Sequence, residues 1–300
     1  MKRLLGLIPF IILLSIPPAA QPVSETQLES LHDPYLTLRF EPSLNGFAKD
    51  IARIYPQLKT DLASTFGWEM PYRPTVVLIQ DKDYVNRVSG NTITVAFAVP
   101  TQNLIVIDCS RLDIRPHRVD QILKHEMVHL LLHHHIQGVH LPRWLDEGVA
   151  QWVSDGVAEL LVAPQRSLLE QALLAGETIP LEDLDDGFPV ERKYLLLAYE
   201  QSRSLLSFIA AQYGEQAVFE MLDSLKSGND IHTTVDNSLS LSLAELENRW
   251  LADQQTHTTW FTFVAGHIYD FLFLLGAFLT LIGFIRFLIK KRRYTDDEDE

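Results

Sequence analysis

The segment KHEMVHLLLHHH, residues 124–135, is the most informative part of this 300-residue chain. A proline opens the run and apolar residues recur at helical spacing, which predicts a helix over residues 116–135. Residues four positions apart share one face of a helix, so His125 and His129 present two imidazoles to one point, with Glu126 beside them. This HExxH spacing predicts two ligands for one zinc ion and a nearby general base.

A catalytic zinc site takes a third protein ligand and leaves a further position to water. Glu147, in WLDEGVAQW on the next predicted helix (residues 142–154), is the leading candidate. The short connection at residues 136–141 makes the two helices neighbours along the chain. Asp146 is the adjacent rival and points about a quarter-turn away. The sequence thus predicts a single zinc ion held by the two motif histidines and Glu147.

Four further histidines crowd the same region: His133, His134, His135 and His140. His135 stands where the metzincin pattern places its third histidine, but that pattern also needs a glycine where this chain has Leu132. Imidazoles near a helix C-terminus are favourably placed without any metal. We therefore predict solvated positions for these histidines rather than ligation.

Composition limits the class of partner. The chain has 25 Lys+Arg against 39 Asp+Glu, a net charge of -14, which is the wrong sign for neutralising phosphates. Nucleic acid is therefore not expected as a partner. The one cysteine, Cys109, excludes an internal disulfide and is expected to be a small buried residue without chemistry.

Both ends of the chain carry apolar segments. Residues 1–20, MKRLLGLIPFIILLSIPPAA, have the basic start, short apolar run and small final residues of a cleaved signal peptide. Residues 268–289, IYDFLFLLGAFLTLIGFIRFLI, are long enough to cross a bilayer and precede KKRR. These features predict a single-pass protein of the cytoplasmic membrane, with a periplasmic domain and a cytoplasmic tail at residues 290–300.

Between these ends the pattern changes once, from strands to helices. An N-terminal extension (residues 21–34) and a juxtamembrane segment (residues 256–267) flank a predicted domain over residues 35–255. Strands are predicted at 35–40, 75–79, 92–98 and 103–108, and helices at 44–66, 116–135, 142–154, 164–175, 191–212, 215–227 and 243–253. The order predicts an α+β fold, with a small N-terminal mixed sheet followed by helices.

These features resemble the gluzincins, zinc peptidases with HExxH and a downstream glutamate, and specifically the small bacterial peptidase MA-like domains. The resemblance covers about residues 35–255 and rests on HEMVH and PRWLDEGVAQW, with supporting similarity in LAYEQSRSLLSFIAAQYG and LENRW. It implies a zincin-like fold, an active-site helix, a C-terminal helical subdomain, and zinc held by His125, His129 and Glu147.

Two departures from the family pattern matter. No GxMxN segment precedes the motif, so the N-terminus recognition of aminopeptidase gluzincins is not implied. Gln151 stands four residues after Glu147, where thermolysin-like enzymes keep an aspartate that orients a histidine. Support for the zinc ligands is therefore expected from elsewhere in the chain.

The resemblance implies endoproteolysis of unfolded or loop segments, with Glu126 as general base. Tyr199, on the helix that resembles the family's, is the candidate that stabilises the oxyanion, and a place in the core is an equal alternative. Zincin substrates bind along a strand edge beside the active-site helix, which here suggests the strand at 103–108. The candidate substrate contacts on that strand are Asn103, Ile105 and Ile107.

Two other functions are compatible with the sequence. One is a non-catalytic zinc-binding scaffold, or a partner-binding module of the same fold. Glu126 argues against it, because a structural zinc site closes with four ligands and has no use for a base. The other is metal-dependent hydrolysis of a substrate other than a peptide, which the resemblance disfavours.

Overall fold

The computed structural model describes residues 28–81, 83, 85, 94–110, 116–156, 167–257 and 267–296. The predicted signal peptide lies outside these residues. Of the described residues, those within 1–137, 146–163 and 189–192 form one compact unit, and those within 138–145, 164–188 and 193–300 form another.

Among the described residues, five strands and one long helix come first and α-helices follow, which is the order expected of an α+β chain. The strands are β1 (Glu29–His32), β2 (Thr37–Phe40), β3 (Thr75–Ile79), β4 (Ala96–Val99) and β5 (Leu104–Asp108). The helices are α1 (Asn45–Phe66), α2 (Pro116–His135), α3 (Arg143–Val153), α4 (Leu168–Ala175), α5 (Arg192–Tyr213), α6 (Glu215–Lys226), α7 (Ile231–Leu239), α8 (Leu243–His257) and α9 (Ile268–Asp296). The α+β prediction is confirmed.

The first unit contains a five-stranded mixed sheet in the order β1-β2-β3-β5-β4. Strands β2, β3 and β5 are parallel, and β1 and β4 are antiparallel to their neighbours. The sequences TVVLI of β3 and LIVID of β5 are almost continuously apolar, as expected of parallel strands covered on both faces. Strand β1 lies in the predicted extension, so the sheet begins before residue 35.

The prediction that substrate pairs with the strand at 103–108 is wrong. Strand β5 is internal, because β3 pairs with one side of it and β4 with the other. Ile105 and Ile107 are buried, and Asn103 lies in a left-handed turn at φ 48° before the strand. The backbone of β5 therefore has no free side, and among the described residues β4 forms that edge of the sheet.

The second unit is helical, and two of its buried side chains, Trp250 and Gln201, make hydrogen bonds to other parts of that unit. Trp250 of α8 is buried and donates to Ser204 of α5 at 3.1 Å. Gln201 of α5 is also buried; its amide accepts from the Ile179 N–H and donates to the Ile179 carbonyl, each at 2.9 Å. Helix α7 was not predicted; Asp230 caps it by accepting from the Thr233 N–H.

Helix α9 contains a window, Ile268–Phe287, with a mean hydropathy of 2.2 and no buried part. By length and composition it could cross a membrane. The helix continues through the basic residues KKRR to Asp296, seven residues beyond the predicted end at 289. Lys and Arg are good helix formers, which explains the extension.

Candidate active site

Three side chains from two consecutive helices meet in the first unit. His125 and His129 lie on α2, and their Nε2 atoms are 3.2 Å apart. Glu147 lies on α3, and its Oε2 is 3.4 Å from the His125 Nε2 and 3.5 Å from the His129 Nε2. All three residues are buried. The structure thus brings the three predicted ligands together in one closed triangle of ligand atoms.

The size of this triangle fits one small cation. In a tetrahedral site with bonds of about 2.0 to 2.1 Å, two ligand atoms are about 3.3 to 3.4 Å apart. The three observed separations of 3.2, 3.4 and 3.5 Å lie close to that value. Two imidazole nitrogens and a carboxylate oxygen are also the donor set of a known class of catalytic zinc site. The residues present therefore fit a zinc ion.

The outer nitrogen of His129 has its own carboxylate partner. Its Nδ1 lies 2.7 Å from Oδ1 of Asp146, which is buried on α3 beside Glu147. A carboxylate accepts, so Nδ1 donates, and in the neutral imidazole the lone pair on Nε2 faces the triangle. Outer carboxylates of this kind set the tautomer and ring orientation of metal-binding histidines, and Asp146 is placed to do so for His129. Asp146, the rival third ligand, is therefore placed behind His129.

The same carboxylates change the basicity of His129. Burial lowers the pKa of His129, but attraction to Asp146 and Glu147, together with hydrogen bonds to both, raises that pKa well above its ordinary value. The metal-free site therefore favours the protonated imidazole. Since a metal ligand must be deprotonated, a metal ion competes with this proton.

Glu126, the predicted general base, is fully buried on α2 directly after His125. Tyr199, the predicted oxyanion residue, belongs to the second unit, where it lies buried on α5. Its ring and the Phe188 ring lie nearly perpendicular to each other, with centroids 5.1 Å apart. The catalytic roles of both residues remain predictions.

The four additional histidines make other contacts. His133 Nε2 lies 3.1 Å from Oδ2 of Asp146. The His134 ring packs against Tyr72, with centroids 4.8 Å apart. His135 Nε2 donates to the Glu69 carbonyl at 2.7 Å.

His140 belongs to the second unit. Its Nε2 lies 3.3 Å from Oδ2 of Asp185. The group formed by His140, Asp185 and Asp186 is largely exposed, unlike the buried triangle in the first unit.

Sequence reasoning missed the role of Asp146 as a shared partner. Asp146 stands next to the proposed ligand Glu147, and His129 and His133 are four residues apart on α2. That spacing was a usable signal, because it places both imidazoles on the helix face that meets α3.

Comparison with known proteins identifies the family to which this chain belongs. Solved structures similar to this chain include an aminopeptidase A of Legionella pneumophila in complex with aspartic acid, with 16% identity and a TM-score of 0.45 over 75% of this chain and 28% of that chain. They also include native yeast LTA4 hydrolase, with 13% identity and a TM-score of 0.45 over 75% of this chain and 38% of that chain. The chain thus spans less than two-fifths of either length. A comparison with curated proteins gives no match. Residues 86–255, more than half of the chain, match the family model, and the protein therefore belongs to the Peptidase MA superfamily.

Proposed function

We propose that this protein is a zinc-dependent endopeptidase held outside the cytoplasm by its C-terminal helix. The observation that carries the proposal is the triangle of His125, His129 and Glu147, whose separations suit one zinc ion. It occurs in a chain of a peptidase superfamily, and Glu126 adjoins the first ligand on the same helix.

His125, His129 and Glu147 would hold the zinc ion, which would supply Lewis acidity and lower the pKa of a water molecule toward about 7. Glu126 has the side chain to accept a proton from the attacking water and return it to the leaving amine. Asp146 keeps His129 in the tautomer whose Nε2 is available to the metal. Tyr199 is proposed to donate to the oxyanion, where a hydroxyl would stabilise the developing charge.

We place the substrate backbone on the outer side of β4 instead of β5. The Asp108 N–H donates to the Val95 carbonyl at 2.7 Å, so these two residues form a hydrogen-bonded pair. Such pairs alternate along an antiparallel ladder, so Phe97 also bonds toward β5 while the N–H and C=O of Ala98 point away from it. Among the described residues, this outward side of β4 has no strand on it.

A peptide on this edge would lie beside the helix that carries the proposed base. Strand β4 packs against α2. Strand addition uses main-chain hydrogen bonds and needs an extended substrate, so it favours unfolded or loop segments. This supports cleavage within chains and does not require a free N-terminus.

Helix α9 supports the proposed anchoring. Its apolar window of 20 residues suits a bilayer, and the basic residues that follow suit the cytoplasmic face. Together with the predicted signal peptide, these features support a periplasmic peptidase domain with substrates at or near the membrane surface.

The test of endoproteolysis is a map of cleavage positions. Full-length protein in detergent is incubated with a mixture of unfolded proteins, and the new termini are sequenced by mass spectrometry, with Glu126→Gln as the baseline. We expect internal cleavages that the variant lacks. Products confined to the removal of N-terminal residues would contradict endoproteolysis, and identical products from both proteins would contradict the proposed enzyme.

A further inference from the structure

The histidines of α2 form a stripe that extends beyond the metal triangle. His125, His129 and His133 are spaced four residues apart, so they follow one face of the helix. The adjacent acidic residues Asp146 and Glu147 of α3 meet this stripe.

Each carboxylate is shared by two consecutive histidines. Oε2 of Glu147 lies between His125 and His129, at 3.4 and 3.5 Å from their Nε2 atoms. Asp146 lies between His129 and His133, with Oδ1 2.7 Å from the former and Oδ2 3.1 Å from the latter. His129 therefore belongs to both pairs, and Asp146 connects it to His133.

The contact between Asp146 and His133 matters because the Asp146 carboxylate is buried. The Asp146 side chain is only 2% exposed, whereas that of His133 is 39% exposed. Carboxylate oxygens withdrawn from water need hydrogen-bond donors, and His133 supplies one of them to Oδ2. The terminal torsion of aspartate has a broad energy profile, so a donor on each oxygen holds the carboxylate plane in place.

We propose that His133 is a positioning residue for the metal centre: it holds the Asp146 carboxylate in the orientation that His129 requires, and thereby slows metal release. The inference rests on the zinc centre of the proposed function and concerns how long that centre keeps its ion. Outer partners of metal ligands typically contribute 10- to 100-fold to metal affinity. Because His133 acts through Asp146, we expect about a tenfold faster release without it.

The experiment compares two substitutions in the full-length protein loaded with zinc. His133→Leu removes the donor, while His133→Gln keeps an amide N–H that can reach a carboxylate oxygen. His134→Leu is the matched control, because it removes the neighbouring imidazole, which packs against Tyr72. Metal release to an excess of chelator is followed with a zinc-sensitive dye, and the absorption spectrum of the cobalt-substituted protein reports on ligand geometry.

The expected result is about tenfold faster release and an altered cobalt spectrum for His133→Leu, with His133→Gln and His134→Leu close to the unmodified protein. Release from His133→Leu within twofold of the unmodified protein would overturn the inference. Equally fast release from the Leu and Gln variants would overturn it too, because the donor would then be irrelevant.

The proposed function can fail separately. A clear effect of His133→Leu on metal release, in a protein that cleaves no peptide, would support the positioning role and contradict the peptidase. If the unmodified protein retained zinc no better than a His129→Ala variant, both the metal centre and this inference would be overturned.

Discussion

The Nδ1 atom of His129 lies 2.7 Å from Oδ1 of Asp146, the residue that precedes Glu147 in α3. Two successive side chains of one helix therefore act on opposite nitrogens of the same imidazole. Glu147 meets the Nε2 that faces the triangle, and Asp146 meets the Nδ1 behind it. This relationship links the sequence WLDEG directly to the orientation of a proposed zinc ligand.

Removal of the Asp146 carboxylate should weaken metal binding. We expect Asp146→Ala to bind zinc about 10- to 100-fold less tightly, because His129 loses the acceptor that sets its tautomer. Competition with a chelator of known affinity measures this change. Asp50→Ala is the control, since Asp50 is an exposed carboxylate of α1 in the same unit. Equal zinc affinity of Asp146→Ala and the unmodified protein would contradict the orienting role.

The stability of the metal-free protein should depend on the charge of His129. Its pKa is raised in the folded protein, so the stabilisation is complete below the unfolded value of about 6.5 and is lost as the pH rises through the folded value. Urea unfolding of the metal-free protein from pH 6 to pH 9 should therefore show a falling midpoint. The midpoint of His129→Gln should fall less steeply with pH. The same slope in both proteins would show that His129 does not cause the fall.

Zinc should stabilise the protein more strongly as the pH rises. Binding requires the neutral imidazole, so zinc competes less with protons as the pH rises. The stabilisation by excess zinc, measured as the shift in urea midpoint, should grow between pH 6 and pH 9. A shift independent of pH would mean that His129 is not a ligand whose proton must leave.

The proposed binding of substrate to the outward side of β4 can be tested by removing one N–H group. Ala98→Pro removes the N–H that points away from β5, while Ala98→Val keeps it. We expect kcat/KM on unfolded substrates to fall about tenfold or more in the proline variant, because one substrate hydrogen bond is lost and the ring obstructs the edge. Zinc content should be unchanged in both variants. Full activity of the proline variant would exclude this edge as the substrate site.

A substitution of Gln201 tests how much its two hydrogen bonds to Ile179 stabilise the second unit. Gln201→Met leaves the N–H and C=O of the half-buried Ile179 without their side-chain partner, which should lower the free energy of unfolding by about 1 to 3 kcal/mol. Gln212→Met, at an exposed position of the same helix, should change it by less than about 0.5 kcal/mol. Urea denaturation measures both, and equal stabilities would show that the two contacts contribute nothing.

Local patterns predicted most of the elements. The apolar spacing around HEMVH and the proline before it predicted α2 with the bounds that the structure has. The β-branched run TVVLI likewise predicted β3. These signals are strong because burial imposes a period on the residues themselves.

The misses depend on contacts between distant residues. The polar sequence ESLH of β1 has no strand signal, and the strand is held by its pairing with β2. The internal position of β5 is a property of strand order, which no single segment encodes. Helix α7 contains Thr, Asn and Ser, residues of low helix propensity, and its cap at Asp230 was the one local clue.

The most direct test of the proposed enzyme is a paired measurement on Glu126. The full-length protein and its Glu126→Gln variant are purified in the same detergent, and both zinc content and cleavage of unfolded protein are measured. We predict one zinc per chain in both proteins and cleavage by the unmodified protein alone, since the variant keeps all three proposed ligands but loses the base. Zinc in both proteins with equal cleavage, or with none, would contradict a zinc peptidase that uses Glu126.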